Sequence, residues 1–295
     1  MTTPPIRQRL ERPDTPEVAA LRRLKAAQPQ LASAVDMQIE IVTLYRRAQT
    51  RVTTRVFDLS AETLAAQLAA GAPIVRFCDV PFDWPELRGL FRQIVDLLRR
   101  FELVELAEYD ALQALVRSGR PNPDEVAAWY NKTAAQGGAE GTDPSAGGTQ
   151  AQVLAVASRP FLSRAVEMIH ERVDLSAWTR PYCPFCGGDP ELGSISASGE
   201  RRLICGRCAG QWPFDDVTCP YCGSRDRDRS SSFEFSCWPD ANRDGIYRLT
   251  GCDVCQRYLK SYVSRGASRP VMLDVDTIGS LLLDAAAAQR GYSGG

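Results

Sequence analysis

The chain has 295 residues, 44% of them apolar and 24% charged, which is room for two domains with the make-up of an ordinary globular protein. Its 35 Lys and Arg against 36 Asp and Glu leave a net charge of −1, so nothing draws it as a whole to nucleic acid or to an anionic membrane. A single histidine, His170, excludes catalytic schemes and metal sites that need several imidazoles.

No run approaches the ~18–20 apolar residues of a membrane-spanning helix, and Met1-Thr-Thr-Pro-Pro-Ile-Arg lacks the apolar stretch of a secretory signal. The expected place is the cytoplasm, without membrane insertion. In a reducing compartment thiols serve more often as metal ligands or redox groups than as structural disulfides.

In chain order, a frayed start leads to a helix over Pro16–Ala27. A second runs from Val35 to Thr50, with Met37, Ile41, Val42, Leu44 and Tyr45 on one face. Ser60 caps a helix reaching Ala70, which Gly71-Ala72-Pro73 ends. The clearest helix begins near Pro85, where Leu87, Leu90, Phe91, Ile94, Leu97, Leu98 and Phe101 recur at three and four residues. A further one continues to Val116, and Asn122-Pro123-Asp124-Glu125 starts the next. Residues 136–149 are Gly-rich and read as a flexible loop. A helix with Leu162, Ala165, Val166, Ile169 and Val173 inward follows. His170 lies on it without ligand partners nearby and reads as structural.

At Pro181 short β-like runs and turns replace helical periodicity, and nine of the ten cysteines lie beyond it. A last helix is expected from Asp276 as cap, with Ile278, Leu281, Leu282 and Ala285 inward. The fold class is therefore α+β. A mostly helical N-terminal domain (1–178, with the loop 136–149) precedes two tandem rubredoxin/zinc-ribbon-like modules, 179–214 and 215–295, the second carrying the C-terminal helix.

Eight cysteines form four Cys-x-x-Cys pairs: Cys183/Cys186, Cys205/Cys208, Cys219/Cys222 and Cys252/Cys255. Such a turn aims two thiolates at one ion while backbone N–H groups point at the sulfurs, and two turns complete a tetrahedral four-sulfur site. Eighteen residues separate Cys186 from Cys205, enough for a hairpin turning at Ser198-Gly199; twenty-nine separate Cys222 from Cys252. First with second and third with fourth is the expected pairing, because each closes a local hairpin; joining first with third is the alternative. Proline inside Cys-Pro-Phe-Cys-Gly and Cys-Pro-Tyr-Cys-Gly fixes the turn, and the following glycine permits positive φ. A thioredoxin-like dithiol would need a βαβ context that is missing. Cys237, alternating with Phe233 and Phe235, and Cys78 read as packing residues. The ligands alone leave iron and zinc open.

Taken cold, such ribbons serve nucleic-acid binding, electron transfer or protein binding. From Arg180 onward 14 Lys/Arg meet 14 Asp/Glu, and Arg225, Arg227 and Arg229 alternate with Asp226 and Asp228, which argues against nucleic acid. Four-sulfur sites without an open position argue against hydrolysis and for a non-enzyme.

Cys-Pro-Phe-Cys-Gly-Gly-Asp-Pro (183–190), Leu-Ile-Cys-Gly-Arg-Cys-Ala-Gly-Gln-Trp (203–212), Cys-Pro-Tyr-Cys-Gly (219–223), Cys-Asp-Val-Cys-Gln-Arg-Tyr-Leu-Lys (252–260), Ser280-Leu-Leu-Leu-Asp284 and Gly291-Tyr292 occur in that order. The set resembles the formate dehydrogenase accessory protein FdhE family over about residues 180–292. The resemblance implies a cytoplasmic maturation factor for respiratory formate dehydrogenase. It would hold iron, with zinc as the alternative, in two rubredoxin-like sites and contact the enzyme's catalytic subunit before export. Trp212 and Tyr258-Leu259-Lys260 match motif positions without an assigned role. Asp216 stands where such proteins commonly carry Arg, Gln256 where Gly is usual, and Thr250 where an acid is usual; the last site is therefore expected to differ in its sulfur hydrogen bonds.

Overall fold

The structure is a computed structural model that describes residues 14–53, 60–135, 148–226, 228, 230–235, 245–266 and 269–294. Most of the loop expected at 136–149, and Cys237, lie outside the described residues. Gly148 and Thr149 open a helix instead.

Among the described residues seven α-helices make the N-terminal half: α1 (Pro16–Ala27), α2 (Ala32–Gln49), α3 (Ala61–Ala69), α4 (Trp84–Arg100), α5 (Leu106–Arg117), α6 (Pro123–Ala135) and α7 (Gly148–Glu167). Their starts follow the sequence signals. Thr15 caps α1 ahead of Pro16, Ser60 caps α3, and Asp83 accepts from Glu86 N at 3.0 Å to open α4. Asn122 and Glu125 exchange side-chain and backbone bonds at the start of α6, a reciprocal capping box. The apolar stripe of α4 (Leu87, Leu90, Phe91, Ile94) lies in one core with Val153, Ala157, Phe161 and Leu162 of α7. Helix α7 stops at Glu167, before the expected Val173, and His170 begins a short 3-10 turn.

The C-terminal half is one six-stranded sheet of order β3-β2-β1-β6-β5-β4. Its strands are β1 (Pro190–Ile195), β2 (Arg201–Cys205), β3 (Gln211–Pro213), β4 (Ser230–Phe235), β5 (Gly245–Cys252) and β6 (Arg257–Ser264). The order resolves into two antiparallel meanders, β1-β2-β3 and β4-β5-β6, laid side by side through a parallel β1–β6 pair. Gly193 lies at that seam. A Cβ there would stand 2.5 Å from the Ser261 hydroxyl, so only glycine lets the two ribbons close.

Two helices end the chain, α8 (Leu273–Gly279) and α9 (Leu281–Gln289). Asp276 does not cap them. It lies fully buried inside α8, where its carboxylate accepts from Tyr247, Arg269 and, at 2.7 Å, the backbone N–H of Met272 one turn earlier. Ile278 is buried as expected and Leu281 and Leu282 pack against the same core, but the fully buried residues of α9 are Leu283 and Ala287, and Ala285 faces solvent. Cys78 is also not packing: it is exposed, in a 3-10 turn, with its thiol 3.7 Å from the Asp79 carboxylate.

Several contacts lock the halves together. Val275 and Ile278 of α8 return to the core of α1 and α2, beside Leu21, Leu24 and Val35. Arg159 of α7 donates to Asp274 (3.1 Å), Glu191 (3.3 Å) and the carbonyl of Gly206 (2.6 Å), so one guanidinium joins α7, α8, β1 and a cysteine turn. Among the described residues no helix is long and apolar enough to cross a membrane.

Candidate metal centres

The two meanders repeat one plan. A Cys-x-x-Cys turn precedes the first strand, and a second forms the turn after the second strand. Cys205 ends β2 and Cys252 ends β5, so each hairpin carries its own pair to the site. In all four turns the residue after the second cysteine is left-handed: Gly187 at φ 71°, Ala209 at 58°, Gly223 at 74° and Gln256 at 57°. That conformation returns its N–H to the first cysteine's carbonyl, at 2.9 Å from Gly187, 3.0 Å from Ala209 and Gly223, and 2.8 Å from Gln256. Gln256 thus takes the same turn as the glycines, and Ala209 bears the same left-handed strain unremarked in the sequence.

The structure gathers the eight sulfurs as first with second and third with fourth. The Sγ atoms of Cys183 and Cys208 stand 3.6 Å apart and those of Cys186 and Cys205 3.5 Å; Cys219–Cys255 and Cys222–Cys252 are 3.8 and 3.7 Å. Within each foursome every sulfur lies within 4.8 Å of the others. A tetrahedral ion with bonds of about 2.3 Å to sulfur requires edges of about 3.8 Å, so both foursomes fit one ion. The N–H groups of Arg207 and Gly210 point at Cys205 and Cys208 sulfurs, each at 3.4 Å. Burial drives the Cys183 and Cys208 thiols well above the ordinary thiol range. Hydrogen bonds from Cys183, Cys205 and Cys208, followed by the charge of Arg207, pull Cys186 well below it. Four buried thiolates repel one another in a low-dielectric site, and a bound cation is what would let them ionise together.

The centres differ in cover. All four sulfurs of the first belong to buried residues, whereas Cys222 of the second is exposed and Cys219 and Cys255 are half-buried. The helical half closes the first: Ile74 N donates to Pro184 O at 2.9 Å and Val75 N to Phe185 O at 2.7 Å, and Tyr130 bonds Val75 O at 2.6 Å. Phe185 is fully buried and His170 stacks on it at 5.7 Å, so the lone histidine shields a centre it does not ligate. Trp212 is fully buried on β3 in the same core. Beside the second centre a cleft of about 530 Å³, lined by Trp178, Arg201, Phe214, Asp215 and Cys219 among others, opens to solvent.

The motif residues without a role acquire one. Tyr258 and Lys260 both bond Asp284, at 2.6 and 2.7 Å, which ties Tyr-Leu-Lys on β6 to Ser-Leu-Leu-Leu-Asp on α9. Tyr292 bonds Asp253 and lies across Gly251, where a Cβ would sit 2.6 Å from the ring. The end of the chain thereby braces the fourth turn, with Ser293 N adding a 2.7 Å bond to Gln256 O.

No family model matches the chain. FdhE homologs are similar to it in sequence: that of Pseudomonas aeruginosa is 28% identical over 155 residues, 48% of this chain and 49% of the relative. Those of Stutzerimonas stutzeri and Aquifex aeolicus are each 30% identical, over 45% and 43% of this chain and 45% and 42% of theirs. In these matches the chain spans about half the length of its curated relatives. The crystal structure of the FdhE protein from Pseudomonas aeruginosa shares the fold across 95% of both chains, with a TM-score of 0.58 and 20% identity. The resemblance to the FdhE family is borne out. It extends from the ribbons that carry the quoted motifs to the architecture of the helical half, which the sequence motifs do not reach.

Proposed function

We propose that this chain is a non-enzymatic accessory protein for the maturation of respiratory formate dehydrogenase. It binds the immature catalytic subunit in the cytoplasm and holds one metal ion in each four-cysteine centre. Cys183, Cys186, Cys205 and Cys208 ligate the first ion; Cys219, Cys222, Cys252 and Cys255 ligate the second. Iron is the expected metal and zinc the alternative. The observation that carries the reading is the pair of sulfur tetrahedra within a fold shared end to end with FdhE. Four thiolates leave an ion no open position, which supports a binding role over hydrolysis. The domain division at 178 and 214 belongs to the same reading, with the helical half as scaffold.

Pull-down with the catalytic subunit tests it. The parent protein is expected to retain the subunit and restore formate oxidation, and the double variant Cys183→Ser/Cys186→Ser to do neither; unchanged binding and activity in that variant would refute the role of the centre. A second reading is favoured by the exposure of Cys222: an iron redox protein that passes electrons to a client through the open centre. Visible absorption of protein purified without oxygen separates the two, since a colourless, zinc-only protein that still supports maturation leaves no electron to pass.

A further inference from the structure

Two arginines sit in the metal-bearing half in surroundings where a bare cation is costly. Arg207 lies inside the second cysteine turn, between Cys205 and Cys208, and is 7% exposed. Its stem crosses the first centre: a Cβ on Gly188 would stand 2.6 Å from Arg207 Cδ and 3.0 Å from Cys205 Sγ. Its guanidinium is held between the rings of Trp129 and Tyr130, 4.5 Å from each centroid. Nη2 reaches Tyr130 O at 3.5 Å, while Nε and Nη1 are buried without a hydrogen-bond partner.

Arg257 repeats the arrangement at the second centre. It follows Cys255 by two residues, pairs with Cys252 across the hairpin and is 8% exposed. Its guanidinium lies 3.8 Å above the ring of Tyr221, which belongs to the third cysteine turn, and its Nε and Nη2 are buried without partners. Neither arginine forms an ion pair with a carboxylate among the described residues; Asp189, which feels both charges, is itself exposed and bonds neither guanidinium. A buried cation without an anion is strongly destabilising. The missing anion is at hand in each case: a divalent ion with four thiolates carries a net charge of roughly −2.

We propose that Arg207 and Arg257 are built-in counter-cations, each neutralising the negative charge of the metal–thiolate centre beside it. The inference rests on the metal reading above and adds that the rings of Trp129 and Tyr130 at one centre, and of Tyr221 at the other, serve to hold a positive charge there. Each arginine acts through the field at its centre and is a positioning residue, not a ligand.

The test uses the full chain loaded with Zn²⁺ and titrated with a chromophoric chelator. Arg207→Met is expected to weaken the first site about tenfold or more and to leave the second unchanged; Arg257→Met does the reverse. Arg207→Lys and Arg257→Lys keep the charge and are expected to restore most of the affinity, which a purely packing role would not predict. With iron loaded in place of zinc, each Met variant lowers the potential of its own centre, by ~59 mV for each tenfold change in preference for the oxidised ion. Met variants that match the parent in both affinity and potential overturn the proposal, as do Lys variants as weak as Met. A parent chain that takes up no metal defeats the metal reading itself, and the counter-cation role falls with it. Two equivalents held equally by parent and variants defeat the counter-cations alone.

Discussion

The two centres share a ligand set, a turn geometry and a meander, yet the cysteines of one are all buried and those of the other are mostly half-buried or exposed. The difference lies in what each ribbon packs against. The first is capped by the 74–75 segment, Tyr130 and the aromatic cage of α6, all from the helical half. The second is braced by the C-terminal segment, through Tyr292 and Ser293. A metal site can thus be copied in sequence while its accessibility, and with it the exchange and redox chemistry open to it, is set by neighbours that are distant in the chain.

The sharpest way to break this comparison is to remove one centre at a time. Cys183→Ser with Cys186→Ser takes away a structural ion whose binding is worth ~10–16 kcal/mol in small metal domains, against a typical net stability of ~5–15 kcal/mol. The halves are expected to come apart, seen as loss of a cooperative melt and of near-ultraviolet circular dichroism. Cys219→Ser with Cys222→Ser is expected to lose one equivalent of metal while the helical half keeps its transition. Equal melts in the two variants would erase the distinction drawn between the centres.

Next in size is the clamp that seats the first ribbon. Arg159→Met leaves the half-buried carboxylates of Glu191 and Asp274 without their shared cation and is expected to cost ~1.5–3 kcal/mol by chemical denaturation. A cost below ~1 kcal/mol would mean that the seal does not depend on this contact.

A smaller effect follows pH. Burial raises the Glu191 carboxyl above its ordinary value, with Arg159 only partly offsetting it. The folded state therefore holds the proton longer than the unfolded one. Its contribution is favourable below the unfolded pKa of about 4.3 and is lost as pH rises through the folded value. Glu191→Gln lacks this loss, so its stability relative to the parent should grow as the pH rises above about 4.3. Parallel curves above that pH would refute it, and comparison of the two proteins cancels the acid release of metal common to both.

The smallest change compares the turns themselves. Ala209 and Gln256 occupy left-handed conformations that glycine takes without strain. Ala209→Gly and Gln256→Gly should each alter stability by about +1 kcal/mol or less. The gain at Gln256 is expected in metal retention at the open centre, read by chelator release.

The helices were legible because their signals are local: caps at Thr15, Ser60 and Asp83, and the stripe from Leu87 to Leu98. The site was legible for the same reason, since each Cys-x-x-Cys turn is written in four or five residues. Strand β6 escaped notice although it is central. Buried on both faces, Arg257–Ser264 shows no alternation, and its Arg, Lys and Ser positions conceal a core strand. Asp276 misled because an acid before an apolar run looks like a cap, whereas its partners Tyr247 and Arg269 make it a buried anchor.

What the sequence determined by itself is the set of eight sulfurs, their turns and the helical character of what precedes them, because those depend on backbone geometry within a few residues. Tertiary structure alone decided that the ribbons share a sheet through Gly193, that Arg207 and Arg257 are buried beside the centres, and that one centre is closed and the other open. Those outcomes depend on contacts between segments far apart in the chain, and neither spacing nor composition records which surfaces will meet.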